Sequence, residues 1–260
     1  MNYTTIDVRF QPPVCFIQFN RPEANNTINA QLIEECGRVL EECEFRKDEE
    51  SITVVVLEGL PDVFCFGADF KGILDQPAPE ETRPHDPEPL YDLWLKLATG
   101  PFVSISHVRG KVNAGGVGFV AASDIVLADT TAVFSLSELL FGLFPACVLP
   151  FLIRKIGFQN AHYLTLMTRP FFVEKAVEWG LVDAVDTTSD TLLRHHLLRL
   201  RYLSKKGISS YKAYMNQLVG LPLKYKSMAI QANKQVFSDP DNMAGILRYL
   251  NEGLFPWEKE

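Results

Sequence analysis

Two short runs of β-branched and aromatic residues, VCFIQF at Val14–Phe19 after Pro12-Pro13 and ITVVVL at 52–57 before Glu58-Gly59, read as strands bounded by turn residues. Between them Ile28, Leu32, Cys36, Val39, Leu40 and Cys43 recur at spacings of three and four, while Glu34, Glu35, Arg38, Glu41 and Glu42 fall elsewhere. That is the period of an amphipathic helix, with Asn29 placed to cap its start. Strand, helix and strand continue through 102–108 and 125–127, so residues 1–190 read as one α/β unit with right-handed crossovers, and residues 191–260 as mainly helical. Residues 75–89 break the pattern. Pro77, Pro79, Pro84, Pro87 and Pro89 stand there among charged residues, which predicts a mobile surface loop, either a lid or a tolerated insertion.

A 260-residue chain that is 47% hydrophobic and 22% charged has the material for a sizeable core. Its net charge of −7 argues against nucleic acid as a partner. No apolar run approaches the ~18 residues of a spanning helix and no cationic leader opens the chain, so the expectation is a cytoplasmic protein without a membrane partner. Cys15, Cys36, Cys43, Cys65 and Cys147 sit singly among apolar neighbours and read as reduced core thiols. His85, His107, His162, His195 and His196 show no ligand spacing, so no metal is expected. Charge is unevenly placed: residues 191–238 hold nine Lys or Arg and no Asp or Glu. This is either a solvated helical face or a landing site for an acidic partner.

Two glycine-containing turns each follow a strand, FCFGADF at 64–70 and GKVNAGGVG at 110–118. A strand that turns through small residues into a helix leaves peptide N–H groups unpaired at the positive end of the helix dipole. Side by side, two such turns would form an oxyanion hole; singly, each is equally a tight turn or a close helix contact. Neither has the GxGxxG spacing of a dinucleotide site. In FSLSELLFGLFP at 134–145 a single carboxylate, Glu138, is surrounded by apolar residues. Burial there would raise its pKa into the range of a general acid or base near neutrality. The alternative is a surface glutamate at a helix N-terminus.

In order and spacing, FCFGAD, ISHVRGKVNAGGVGFVAASDIVLAD, AVFSLSELLFGLFP and AVEWGLVDAV, with NRPEANNTIN before them and FSDPDNMAGILRYL after, resemble the enoyl-CoA hydratase/isomerase (crotonase) superfamily over nearly the whole chain. The resemblance implies an α/β fold with a core of ββα repeats making a twisted pair of sheets. It also implies a C-terminal helical trimerisation region, hence a homotrimer or a hexamer of two trimers. It places the two oxyanion N–H groups on Ala68 and Gly115 and one of the family's two glutamates on Glu138. The other falls on Gly118, which puts two-glutamate hydration in doubt. Where many members carry a lysine for the adenosine phosphate of CoA, this chain has Glu252.

NRPEANNTIN, HVRGKVNAGG and SELLFGLFPACVLPFLIR more closely resemble the dehydratases of bacterial polyketide β-branching cassettes. That resemblance implies a lyase that removes water from 3-hydroxy-3-methylglutaryl on an acyl carrier protein, giving 3-methylglutaconyl. No cofactor is implied beyond the phosphopantetheine or CoA that carries the acyl thioester. Alternatives are a Δ3,Δ2-enoyl thioester isomerase, an enoyl-CoA hydratase, and a non-catalytic scaffold of the same fold. Arg109, Lys111 and Asn113 lie in the turn that would face a distal substrate carboxylate, without a firm assignment among them.

Overall fold

The computed structural model describes residues 3–70 and 86–258. Strands β1 (Ile6–Gln11) and β2 (Val14–Phe19) form an antiparallel hairpin. Helix α1 (Ala30–Phe45) follows, and the Asn29 side chain caps it by accepting the Leu32 N–H at 2.8 Å. Leu32, Cys36, Val39, Leu40 and Cys43 form its buried stripe as the spacing predicts, but Glu35, which the period sets apart from that stripe, is buried too.

Next come β3 (Val54–Glu58), β4 (Val63–Cys65), α2 (Glu88–Thr99), β5 (Val103–Val108), β6 (Lys111–Asn113), α3 (Gly115–Ala122), β7 (Ile125–Ala128) and β8 (Val133–Ser135). A 3-10 helix at Glu138–Phe141 leads to α4 (Leu149–Met167), which is broken at Gly157, and then to β9 (Phe171–Phe172), α5 (Val173–Glu178) and β10 (Ala184–Val185). The strands sort into two sheets, one ordered β1-β2-β3-β5-β7-β10 and the other β4-β6-β8-β9. Apart from β1–β2 and β8–β9, every pairing is parallel. Each of β3, β5 and β7 therefore passes directly into a short strand of the second sheet, which is the ββ part of a ββα repeat. Every residue of β3 is buried, as a parallel strand covered on both faces requires.

Of the proline-rich stretch, residues 75–85 lie outside the described residues. Its end departs from the loop expectation: Glu88 and Pro89 form the first turn of α2. Proline is tolerated there because the first N–H groups of a helix have no intrahelical acceptor to lose.

Helices α6 (Ser189–Leu200), α7 (Lys205–Val219), α8 (Leu221–Phe237) and α9 (Pro240–Glu252) complete the chain. They are fastened to the core: the Tyr91 hydroxyl donates to the Pro222 carbonyl at 2.6 Å, and Ala229 joins the main apolar cluster. The nine cations of 191–238 do not form one face. Lys205 donates to the Cys43, Glu44 and Arg46 carbonyls at the end of α1. Lys212 is buried against Asp124 at 2.7 Å, Lys226 bridges Glu88 and Asp92, and Lys234 meets Asp86. Arg194, Arg199, Arg201, Lys206 and Lys224 remain without an ion pair among the described residues.

Candidate active site

After β4 the chain turns at Gly67, whose φ of 90° suits a residue without a Cβ. The Ile28 N–H donates to the Gly67 carbonyl at 2.7 Å and the Asp69 N–H donates to the Ile28 carbonyl at 3.0 Å, a parallel bridge between Ile28 and Ala68. In that pattern the N–H of Ala68 faces away from Ile28, and among the described residues it donates to no protein group. The Arg21 guanidinium, 2.7 Å from the Asp69 carboxylate, holds the far side of the turn.

The second turn runs from β6 through Ala114, whose N–H donates to the Ser135 carbonyl at 3.0 Å, into α3. Gly115 is the first residue of that helix, so its N–H has no intrahelical acceptor. The two turns touch. A Cβ on Gly67 would lie 2.9 Å from the Ala114 Cβ and 3.4 Å from the Gly115 nitrogen. The structure thus brings together the two N–H groups that the sequence singled out.

Glu138 opens the 3-10 helix that follows β8. Asn113 joins this helix to the second turn, its Oδ1 accepting from the Ser135 hydroxyl at 2.7 Å and the Ser137 hydroxyl at 3.4 Å. Part of Glu138 reaches solvent, but its Oε2 is buried and without a hydrogen-bond partner among the described residues. Burial pushes the carboxyl up to about 7, against the opposing pull of hydrogen bonds from the Glu138 and Ser137 N–H groups. The glutamate thus stands at the first position of a short helix, as the surface alternative has it, but with its Oε2 enclosed rather than at the surface.

At Gly118 there is no room for a second carboxylate. A Cβ there would fall on the Cζ2 and Cη2 atoms of Trp94, from α2, and 2.6 Å from its Cε2. Sequence reasoning missed Trp94, which is spaced with Leu90, Leu93 and Leu97 as one more residue on the apolar side of α2.

Of the three turn residues considered for a distal carboxylate, Asn113 is engaged by the two serines and Lys111 is exposed. Arg109 faces Asp190 at 3.7 Å and Glu58 at 4.0 Å. Glu58 belongs to a buried cluster that no spacing in the sequence announced, and Asp190 stands exposed at its edge. His107 bonds Glu58 through Nδ1 at 3.1 Å and Ser189 through Nε2 at 2.9 Å, and Glu58, His107 and Asp190 offer ligand atoms within 4.8 Å of one another. Glu58 also meets the half-exposed Arg9 at 2.7 Å, so a buried Glu58–His107 pair with charged partners at the surface joins β1, β3, β5 and α6. Glu252, at the end of α9, pairs with Arg248 at 3.4 Å.

Known proteins are similar to this chain in sequence and fold. The chain is 62% identical over 260 residues to the bacillaene synthase dehydratase PksH of Bacillus subtilis (strain 168), covering all of this chain and 99% of that one. The crystal structure of a putative polyketide biosynthesis enoyl-CoA hydratase (pksH) from Bacillus subtilis superposes with a TM-score of 0.92 at 62% identity, over 98% of this chain and all of that one. A putative enoyl-CoA hydratase from Mycobacterium avium paratuberculosis K-10, only 22% identical, still superposes with a TM-score of 0.84 over 98% of this chain and all of that one, which speaks for the fold alone. The family model described as enoyl-CoA hydratase/isomerase matches residues 9–260, nearly every residue of the sheet pair and of both turns, and the chain belongs to that family.

Proposed function

We propose that the protein is a hydro-lyase of polyketide biosynthesis that removes water from a 3-hydroxyacyl thioester. Its substrate is 3-hydroxy-3-methylglutaryl on the phosphopantetheine arm of an acyl carrier protein, and its product is 3-methylglutaconyl on the same carrier. The observation that carries this reading is one enclosed carboxyl at about 7, joined through Asn113 to a pair of turns that present unpaired N–H groups. The 62% identity to a bacillaene synthase dehydratase supports the same class of reaction.

The steps follow from the residues. The N–H groups of Ala68 and Gly115 receive the thioester carbonyl oxygen, and their hydrogen bonds strengthen as it gains charge. Ionised Glu138 takes the C2 proton, leaving an enolate. The enolate collapses to a C2=C3 double bond as the C3–O bond breaks, and the electron pair leaves with oxygen. Glu138 returns its proton to that oxygen, which departs as water. A single carboxyl serving both carbons requires the proton and hydroxyl to leave from the same face. A carboxyl near neutrality suits both tasks, since it is neither too weak a base for C2 nor too weak an acid for the leaving oxygen. No step needs a metal or a redox cofactor.

The carrier preference rests on Glu252, an acid where many relatives meet the CoA phosphate with a lysine, and on the five unpaired cations of the C-terminal helices. Exposed Tyr211, Tyr214, Leu218, Leu223 and Met228 on α7 and α8 support a homotrimer, alone or doubled to a hexamer. Among the described residues no helix is long and apolar enough to cross a membrane, which agrees with a cytoplasmic setting.

Mass spectrometry of acyl carrier protein loaded with 3-hydroxy-3-methylglutaryl, before and after incubation, tests the reading. Loss of one water is expected. A substrate that returns with unchanged mass and structure would overturn it, and a 3-enoyl thioester returned with unchanged mass but a shifted double bond would mark an isomerase instead.

A further inference from the structure

Gly115 and Gly118 are one turn apart on α3 and share a face of that helix. The six-membered edge of Trp94 lies along that face: its Cζ2 stands 4.0 Å from a Cβ built on Gly115, and the same atom blocks a Cβ on Gly118. Phe119 and Phe151 meet the indole edge-on, each at 5.9 Å, which fixes the ring in place. Within this packing the Nε1, bonded to Cε2, is buried and donates to no protein group among the described residues. Buried indole N–H groups ordinarily find an acceptor. Glu138 Oε2 is a buried acceptor in the same condition. A buried donor and a buried acceptor thus both stand without a protein partner among the described residues.

We propose that the Trp94 indole N–H holds the C3 hydroxyl of the acyl substrate, in the place where a second carboxylate would stand at position 118. The proposal rests on the dehydratase reading. A carboxylate would accept from that hydroxyl, whereas an indole can only donate, so Trp94 engages a lone pair of the hydroxyl oxygen. As the C3–O bond breaks and its electron pair moves onto oxygen, the hydrogen bond strengthens. The proton taken from C2 by Glu138 then completes the departing water, and Trp94 is unchanged.

The test uses Glu138→Gln protein, in which turnover is slowed at least roughly 10²-fold, and two carrier-bound thioesters that differ only at C3: 3-hydroxy-3-methylglutaryl and 3-methylglutaryl. Calorimetry gives the ratio of their affinities. Trp94→Phe keeps an aromatic ring and removes the N–H, so the ratio in favour of the hydroxylated form is expected to fall about tenfold, the worth of one neutral hydrogen bond, while 3-methylglutaryl binds as before. Should Trp94→Phe fold poorly, benzothienylalanine at position 94 keeps the bicyclic shape and replaces N–H by sulfur, and the same fall is expected. An unchanged ratio in a folded variant would overturn the proposal, and so would an equal loss of both affinities. Failure of the Trp94 protein to bind either thioester would overturn the dehydratase reading beneath it.

Discussion

Because burial raises the Glu138 carboxyl to about 7, the ionised form that takes a proton fills in only as pH climbs through that value. We expect kcat/KM for dehydration to rise with pH up to about 7 and then to level, and a rate independent of pH across that range would place the base elsewhere. Stability runs the other way. A carboxyl with a folded value above its ordinary 4.5 favours the fold while protonated, and that contribution is lost as pH rises from 4.5 through about 7. Glu138→Gln is therefore expected to lose at least roughly 10²-fold in turnover. Above neutrality it should unfold at a temperature no lower than the unsubstituted protein, with the difference closing as pH falls. A folded Glu138→Gln enzyme with near-normal turnover would remove Glu138 from the mechanism. At Ala68, the bridge to Ile28 uses the Gly67 carbonyl and the Asp69 N–H, so Ala68→Pro deletes an N–H without breaking a backbone hydrogen bond described here. We expect a loss on the order of 10²-fold in rate, with thermal unfolding compared first to exclude a disturbed backbone. Full activity would move the thioester carbonyl to another site.

Helix α1 shows what periodicity can and cannot report. Its apolar stripe and its Asn29 cap are local patterns and were legible. Burial of Glu35 was not, because its partners, Thr4 and Thr5, lie some thirty residues earlier and meet it only once the bend before β1 is in place. Burial alone would raise this carboxyl, but hydrogen bonds from the side chains of Thr5 and Gln31 and from the backbone of Thr4 and Thr5 hold it at about 2. Its stabilising effect is present above 4.5 and is lost as pH falls from 4.5 towards about 2. Glu35→Gln keeps the size of the side chain without its charge. It is expected to lower unfolding free energy at neutral pH by about 1–3 kcal/mol, with the loss shrinking in acid, as urea titrations at the two pH values would report. An equal loss at both would mean that packing, not charge, sets its worth. The start of α2 was misread for a related reason: Pro87 and Pro89 are breakers within a helix but not at its first turn. Trp94 carried no local mark at all, since its meaning lies in which glycines it covers.

Across the molecule, the two turns were legible as strand exits, whereas the paired sheets came from the family resemblance that the order of the motifs carries. The fate of the charges was not legible. Composition counts cations but not their partners, and the run of nine in 191–238 is divided between internal fastening and the surface. A docking test must therefore avoid Lys205, which secures the end of α1, and use Lys206 and Arg199. Reversing both to glutamate is expected to raise KM for the carrier-bound substrate several-fold at low salt, with little change for a small pantetheine thioester. Equal effects on the two substrates would place carrier docking elsewhere. The cover over the 3-10 helix that carries Glu138 arrives from far along the chain: Phe141 packs at 5.4 Å against Tyr249 of α9 and at 5.8 Å against Phe255 beyond it. On the ribosome these residues emerge after every strand of both sheets, which have had time to form at roughly 5–20 residues per second. A growing chain thus carries both glycine turns before its Glu138 helix is covered.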